Sequence, residues 1–410
     1  MQTLIRDSAA IQFGEQKVEP GGRAMEHSGD RILTTHVGSL PRSRALSDLL
    51  IRQERAETID RAALDRECQT AVRHVVGQQV ASGVDVINDG EQPRVGFQTY
   101  VGLRMKGFGG KSPRPFFRDF VDFPDYATLW QNRGMATSKV FDAPQAVAEL
   151  EYAGLSEAQR ECELFLEAAR EHAGRYRELF MTAASPGIVA TTLLNAHYDS
   201  HGSYVNAVAR EMRKEYEYIH SKGLLLQLDC PDLAMERVGL FQKEPLSRFL
   251  EAVEAHVEAI NRALVNIPRE SVRLHVCWGN WDGPHVYDVS LEDILPILYR
   301  ARVGALSLEL ANPRHEHEMA VVKKHSLPDS MIFVPGVIDS KTNFVEHPEL
   351  VCSRILRAVD AVGDRSRVIA SSDCGFGTFA GWELVAPSVV WAKLRALREG
   401  ADLASKRLWG

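Results

Sequence analysis

Short runs of Val, Ile and Leu recur along the chain, separated by longer stretches in which apolar residues fall three and four apart. The runs are Arg31–Ser39, Val84–Glu91, Leu179–Ser185, Leu224–Pro231, Val272–Gly279, Gly304–Ala311, Met331–Asp339 and Arg367–Gly375. Near-continuous apolar runs mark parallel strands buried on both faces. The stretches Ala63–Val80, Glu157–His172, Tyr204–Ser221, Leu246–Val265, Glu349–Val362 and Ala386–Leu397 carry the helical period instead. Strand–helix alternation repeated about eight times predicts an α/β fold, a (β/α)8 TIM barrel.

One connection breaks the rhythm. Residues 92–156 separate the second strand from its helix, far more than a usual βα loop. This insertion is rich in aromatics, among them Phe97, Phe116, Phe117, Phe120, Tyr126 and Trp130. It is either a packed excursion covering the barrel or a wall over the active-site mouth. Residues 1–29 show no period and are expected to be an N-terminal extension, leaving 30–410 as one catalytic barrel.

Composition narrows the function classes. The 410 residues carry 48 Lys plus Arg against 55 Asp plus Glu, a net charge of −7. No basic excess is available to neutralise phosphates, so nucleic acid is not an expected partner. No apolar run reaches the roughly 18 residues of a membrane span. With no signal-like N-terminus, the cytoplasm is the expected address. Six cysteines in 410 residues make no disulfide framework.

The polar residues within the runs cluster at their C-terminal ends: Val37-Gly38-Ser39, Asp89-Gly90-Glu91, Asp229-Cys230, His275-Val276-Cys277, Glu309, Asp339 and Asp373-Cys374. In a barrel these ends share one face, where its chemistry sits. Residues two apart on a strand point the same way, so His275 and Cys277 can reach one ion. Cys374 would join them from the eighth strand and Glu309 from the sixth. Imidazole with thiolate suits zinc, and three protein ligands with an exchangeable fourth is a catalytic pattern. Taken alone, His-x-Cys also fits two core residues. Glu91 and Asp229 can bind an ammonium group, act as bases or accept structural hydrogen bonds. Val37, Gly38 and Ser39 form either a carboxylate-binding turn or a plain βα turn. His36 and Lys341 lie near the same face. Cys230 fits a packing role best, and Cys68, Cys162 and Cys352 fall in helical patterns as buried thiols.

As an ordered set, Thr34-Thr35-His36-Val37-Gly38-Ser39-Leu40-Pro41, Asp89-Gly90-Glu91, Leu226-Gln227-Leu228-Asp229, His275-Val276-Cys277, Ser307-Leu308-Glu309 and Asp373-Cys374-Gly375 resemble the catalytic barrel of the cobalamin-independent methionine synthase family. The resemblance spans roughly residues 31–400. It implies zinc held by His275, Cys277, Glu309 and Cys374, with Glu309 exchangeable. It implies that Val37, Gly38 and Ser39 hold the carboxylate of a thiol acceptor such as homocysteine, and that Glu91 and Asp229 hold its amino group. The alkyl donor it implies is a folate or a methylated corrinoid protein. The oligomeric state is left open.

The chain departs from the family at three places. It is expected to be a single-barrel member, without the additional N-terminal barrel of the full-length synthases. Lys341 stands where the synthases carry a histidine that assists the folate leaving group, and Cys230 stands where they carry a glutamate. The aromatic insertion also differs. Single-barrel members include enzymes such as epoxyalkane:coenzyme M transferase, so zinc-thiolate addition to an epoxide is the alternative, with Lys341 or a nearby acid protonating the alkoxide. A non-catalytic zinc or ligand-binding barrel is a further alternative. A decarboxylase of the related uroporphyrinogen family does not need His-x-Cys, and metal-dependent hydrolases usually prefer His and carboxylate ligands.

Overall fold

The computed structural model describes residues 24–132 and 142–410. Ten strands occur among them: β1 (Leu33–Thr34), β2 (Val86–Ile87), β3 (Met105–Gly109), β4 (Gln145–Tyr152), β5 (Glu178–Ala184), β6 (Leu225–Asp229), β7 (Val272–Val276), β8 (Ala305–Leu308), β9 (Ile332–Ile338) and β10 (Ile369–Ser372). Eight form one parallel sheet in the order β1-β10-β9-β8-β7-β6-β5-β2. The seam between β1 and β2 is short. It is bridged by the Asp85 N–H donating to the Thr34 carbonyl at 3.1 Å and the Thr35 hydroxyl donating to the Val86 carbonyl at 3.0 Å. The result is the expected TIM barrel, with all eight predicted runs in place.

The helices follow the predicted stretches closely. Arg61–Ala81 starts at Asp60, whose carboxylate accepts from the Ala63 N–H, and His201–Ser221 starts at Ser200 in the same way. The final helix runs from Pro387 to Trp409, past the predicted end at Leu397. It continues through Gly400 because it packs there on Pro348–Val362: a Cβ at Gly400 would meet Val351 Cγ1 at 2.4 Å.

One feature departs from the expectation. Residues 24–29 are part of the barrel's packing. Met25 donates its N–H to the Glu270 carbonyl and packs with Leu33, Val86, Phe180, Leu225, Ile332 and Ile369 across the N-terminal end of the barrel. The Ser28 hydroxyl donates to the Val368 carbonyl at 2.6 Å. Residues 1–23 lie outside the described residues. The insertion, for its part, has its own structure. Strands β3 and β4 pair antiparallel, and the short helices Arg118–Asp122 and Pro124–Asn132 follow β3.

Candidate metal centre

His275 lies on β7, Cys277 just beyond it and Cys374 just beyond β10. The register puts their side chains together. One ligand atom from each lies within 4.8 Å of the others, and all three residues are buried. The Cys277 and Cys374 sulfurs are 3.9 Å apart. Two thiolates at about 2.3 Å from a tetrahedral zinc stand about 3.8 Å from each other. Both ring nitrogens of His275 are buried without a hydrogen-bond partner. A buried imidazole normally satisfies at least one of them. The donor set, the spacing and the orphaned nitrogens together fit a soft divalent ion such as zinc.

The electrostatics favour a thiolate in this group. The hydrogen bond from the Cys374 thiol pulls Cys277 down to about 5, against burial, and His275 adds to the pull. Cys374, bonded to Cys277 and buried, is pushed well above its ordinary range.

Glu309 is not among the three. It sits beyond β8 and is fully buried, but its Oε1 takes an ion pair from Lys341 Nζ and a hydrogen bond from Asn312 Nδ2 at 2.8 Å. Its Oε2 accepts from the Trp278 N–H at 3.2 Å. Lys341 is thereby committed to Glu309. Burial opposes its charge, but Glu309 more than compensates and holds the ammonium well above the usual lysine range. Lys341 does not line the pocket onto which His275, Cys277 and Cys374 open.

Val37, Ser39, Glu91 and Asp229 line one pocket together with His275, Cys277 and Cys374; it holds about 750 Å³ including its open mouth. Gly38 makes their convergence possible. Its φ is +148°, and a Cβ there would meet Thr182 Cγ2 at 2.6 Å and Glu91 Oε1 at 3.0 Å. Glu91 itself has φ +54°, which turns its carboxylate inward at a conformational cost. Burial and then the charge of Asp229 push Glu91 up to about 8. Asp229 is raised to about 6 by burial, with His275 opposing. Glu91 Oε2 has no partner.

Asp229 is fixed from below. Gln227 Nε2 donates to its Oδ1 at 2.7 Å, and Gln227 Oε1 accepts from Arg273 Nε at 2.7 Å. Arg273 in turn lies 4.0 Å over the Phe180 ring. Cys374 is positioned by its neighbour: Asp373 Oδ1 accepts from the N–H groups of Leu310 and Ala311 at 2.8 and 2.7 Å, tying the loop after β10 to the loop after β8. His36 points away from the site, its Nε2 2.7 Å from Gln79 Oε1. Cys230 is a packing thiol in the core.

The sequence reading allows the insertion as a wall over the mouth and names Phe97 and Phe117; what it misses is the loop after β7. The insertion supplies Phe97, Gln98, Arg114 and Phe117, so it serves as a pocket wall. The loop after β7 adds Asn280 and Trp281. Asn280 Nδ2 donates to the Gly375 carbonyl at 2.8 Å and to Thr378 Oγ1 at 2.6 Å. The Trp281 ring lies flat because its neighbours have no side chains: a Cβ at Gly279 would meet the ring at 1.7 Å and one at Gly283 at 2.2 Å. The motif Gly279-Asn280-Trp281-Asp282-Gly283 carried that signal in the sequence.

No family model matches the chain. A 2-hydroxypropyl-CoM lyase from Xanthobacter autotrophicus is 24% identical, over 92% of this chain and 96% of the relative. A methionine synthase from Saccharolobus solfataricus is also 24% identical, over 92% and 95%. Among solved structures, a B12-independent methionine synthase from Shewanella sp. W3-18-1, in complex with selenomethionine, superposes with a TM-score of 0.69 at 20% identity, covering 92% of this chain and 99% of that one. That likeness is one of fold.

Proposed function

From a chain that is a single-barrel relative of the cobalamin-independent methionine synthases and of 2-hydroxypropyl-CoM lyase, we propose a zinc-dependent thiol S-alkyltransferase. The observation that carries this reading is the buried His275, Cys277 and Cys374 group, with sulfurs 3.9 Å apart and both imidazole nitrogens unpartnered, opening onto the pocket. When bound, zinc supplies the charge that strips the proton from an incoming thiol and keeps its sulfur nucleophilic.

The chain's own residues bind and orient. Glu91 and Asp229 receive the ammonium of a thiol amino acid such as homocysteine, whose charge offsets the burial that raises both carboxyls. The turn Val37-Gly38-Ser39 receives its carboxylate. Gln227 and Arg273 keep the Asp229 carboxylate in place, so the acceptor sulfur is aimed along one line. The aromatic wall keeps water from the electrophile. Glu309 is an exchangeable ligand that Lys341 holds in reserve. The leading reaction is methyl transfer giving a thioether. Addition to an epoxide is the second reading, favoured by the relative whose name describes a 2-hydroxypropyl thioether.

The test is zinc content with zinc-edge X-ray absorption, before and after adding homocysteine or 2-mercaptoethanesulfonate. One zinc per chain, gaining a sulfur neighbour with one of these thiols, is the expected result. Cys374→Ser is expected to lose both zinc and activity. A zinc-free Cys374→Ser protein with full activity would end the proposal. Mass spectrometry of products from methyl donors and from epoxides separates the two reactions.

A further inference from the structure

We propose that the aromatic wall of this pocket is a donor subsite for an uncharged electrophile: a carbon bonded to a leaving oxygen, carried on an apolar body of about aromatic-ring size. The inference rests on the thiol-alkylation reading and names the partner of the thiol.

Three observations converge. One wall is built from rings: Phe97, Phe117, Trp281, Phe379 and Trp382. Phe117 stacks on Trp281 at 4.8 Å with planes 6° apart, and Phe379 stacks on Trp382 at 5.1 Å. The two stacks come from different parts of the chain, one joining the insertion to the loop after β7, the other lying beyond β10. Flat walls of this kind bind apolar and aromatic bodies.

The cations that could bind an anionic donor are spent. Arg114 is buried against Glu236 at 2.5 Å and donates to the Thr191 carbonyl at 2.6 Å. Lys341 is on Glu309. A donor bearing phosphate or carboxylates would enter this wall without a counter-charge, at a desolvation cost.

The unspent polar atoms on this wall are mainly donors. Arg114 Nε, Trp281 Nε1 and Trp382 Nε1 are buried without partners, against one such acceptor, Gln98 Oε1. N–H groups complement an oxygen and present the positive ends of their dipoles to a cation, so the rings do not form a cage for an onium methyl donor despite their cation–π capacity. The reaction balances without an oxidant or reductant. The thiol gives up its proton, the sulfur lone pair forms the S–C bond as the C–O bond breaks, and the departing oxygen takes up one proton. An epoxide and a methyl ether share this chemistry.

Equilibrium quenching of tryptophan fluorescence in the zinc-loaded protein tests the proposal. The probes are phenyloxirane and anisole as neutral C–O compounds, benzoate as the anion and phenyltrimethylammonium as the cation. Both neutral probes are expected to bind about 10-fold or more tightly than either ion. Phe117→Ala should weaken them by about 10-fold while zinc content and thiol coordination stay unchanged. Phe117→Leu, which keeps most of the volume, guards against a folding defect and should lose affinity in the same direction. An ion that binds as tightly as the neutral probes would overturn the proposal, as would neutral binding indifferent to both variants. Turnover of phenyloxirane or of anisole then identifies the electrophile. Loss of thiol coordination beside intact probe binding would instead remove the proposed function, so the two failures are distinct.

Discussion

The ion pair between Lys341 and Glu309 is the residue-scale feature on which the metal centre turns. Both partners are buried, and Glu309 also holds Asn312 and the Trp278 N–H. Removing one member of a buried pair leaves an uncompensated charge, worth about 3–5 kcal/mol. Lys341→Met should therefore destabilise the metal-free protein by about that much. With zinc present the loss should be smaller, because the freed carboxylate gains the metal as a partner. Thermal unfolding with and without zinc measures both, and X-ray absorption should show an added oxygen neighbour in the variant. An equal loss in the two states would mean that Glu309 does not reach the metal. The sequence made the ligand-type residues legible, since His275 and Cys277 share a face and Cys374 ends another strand. It could not show that Lys341 claims Glu309, because that contact joins positions 32 residues apart across two barrel loops.

At the scale of elements, the barrel strands were legible and the insertion was not. Strands buried on both faces write continuous apolar runs, as in β6 and β9. Strand β4 is half exposed: only Ala146, Leu150 and Tyr152 are buried within Gln145–Tyr152, so it writes no such run. Its partner β3 contains Gly107, where a Cβ would meet the Glu149 carbonyl at 2.6 Å, and this glycine lowers its strand signal further. The insertion is anchored to the barrel through Arg114, whose guanidinium meets Glu236 beyond β6 with both side chains almost fully buried. Arg114→Met should cost about 3–5 kcal/mol in denaturant unfolding by stranding Glu236. Adding Glu236→Gln should recover much of it, because a neutral amide can still accept from the Leu240 N–H that now bonds Glu236 Oε2 at 3.2 Å. A double variant no more stable than Arg114→Met would show that the pair is not what anchors the wall.

For the whole molecule, stability should depend on pH through a buried cluster that ties the loops after β7 and β8 together. His315 stacks on Trp278 at 4.0 Å and bonds Asp288 and Glu318, each at 2.9 Å, while His285 shares Asp288 at 3.0 Å and stacks on Trp281. The cluster thus reaches from the segment beside Cys277 to the donor wall, a link made by six separated positions that no local pattern in the chain reveals. Burial works against the imidazolium of His315, but its bonds to Asp288 and Glu318 win and raise it from 6.5 to about 9. A folded value above the unfolded one means that the folded chain binds the extra proton. Its stabilisation is complete below pH 6.5, shrinks as pH rises and is gone once pH passes about 9. Glu91, raised by burial to about 8, tilts stability the same way, so the wild-type slope alone does not assign the effect. His315→Gln keeps a planar side chain able to donate to one carboxylate but cannot titrate. It should melt lower than wild type at pH 6.5, and the gap should close towards pH 9. Melting temperatures of both proteins across that window check this, and a gap that stays constant or widens with pH would show that His315 is not protonated in the folded chain.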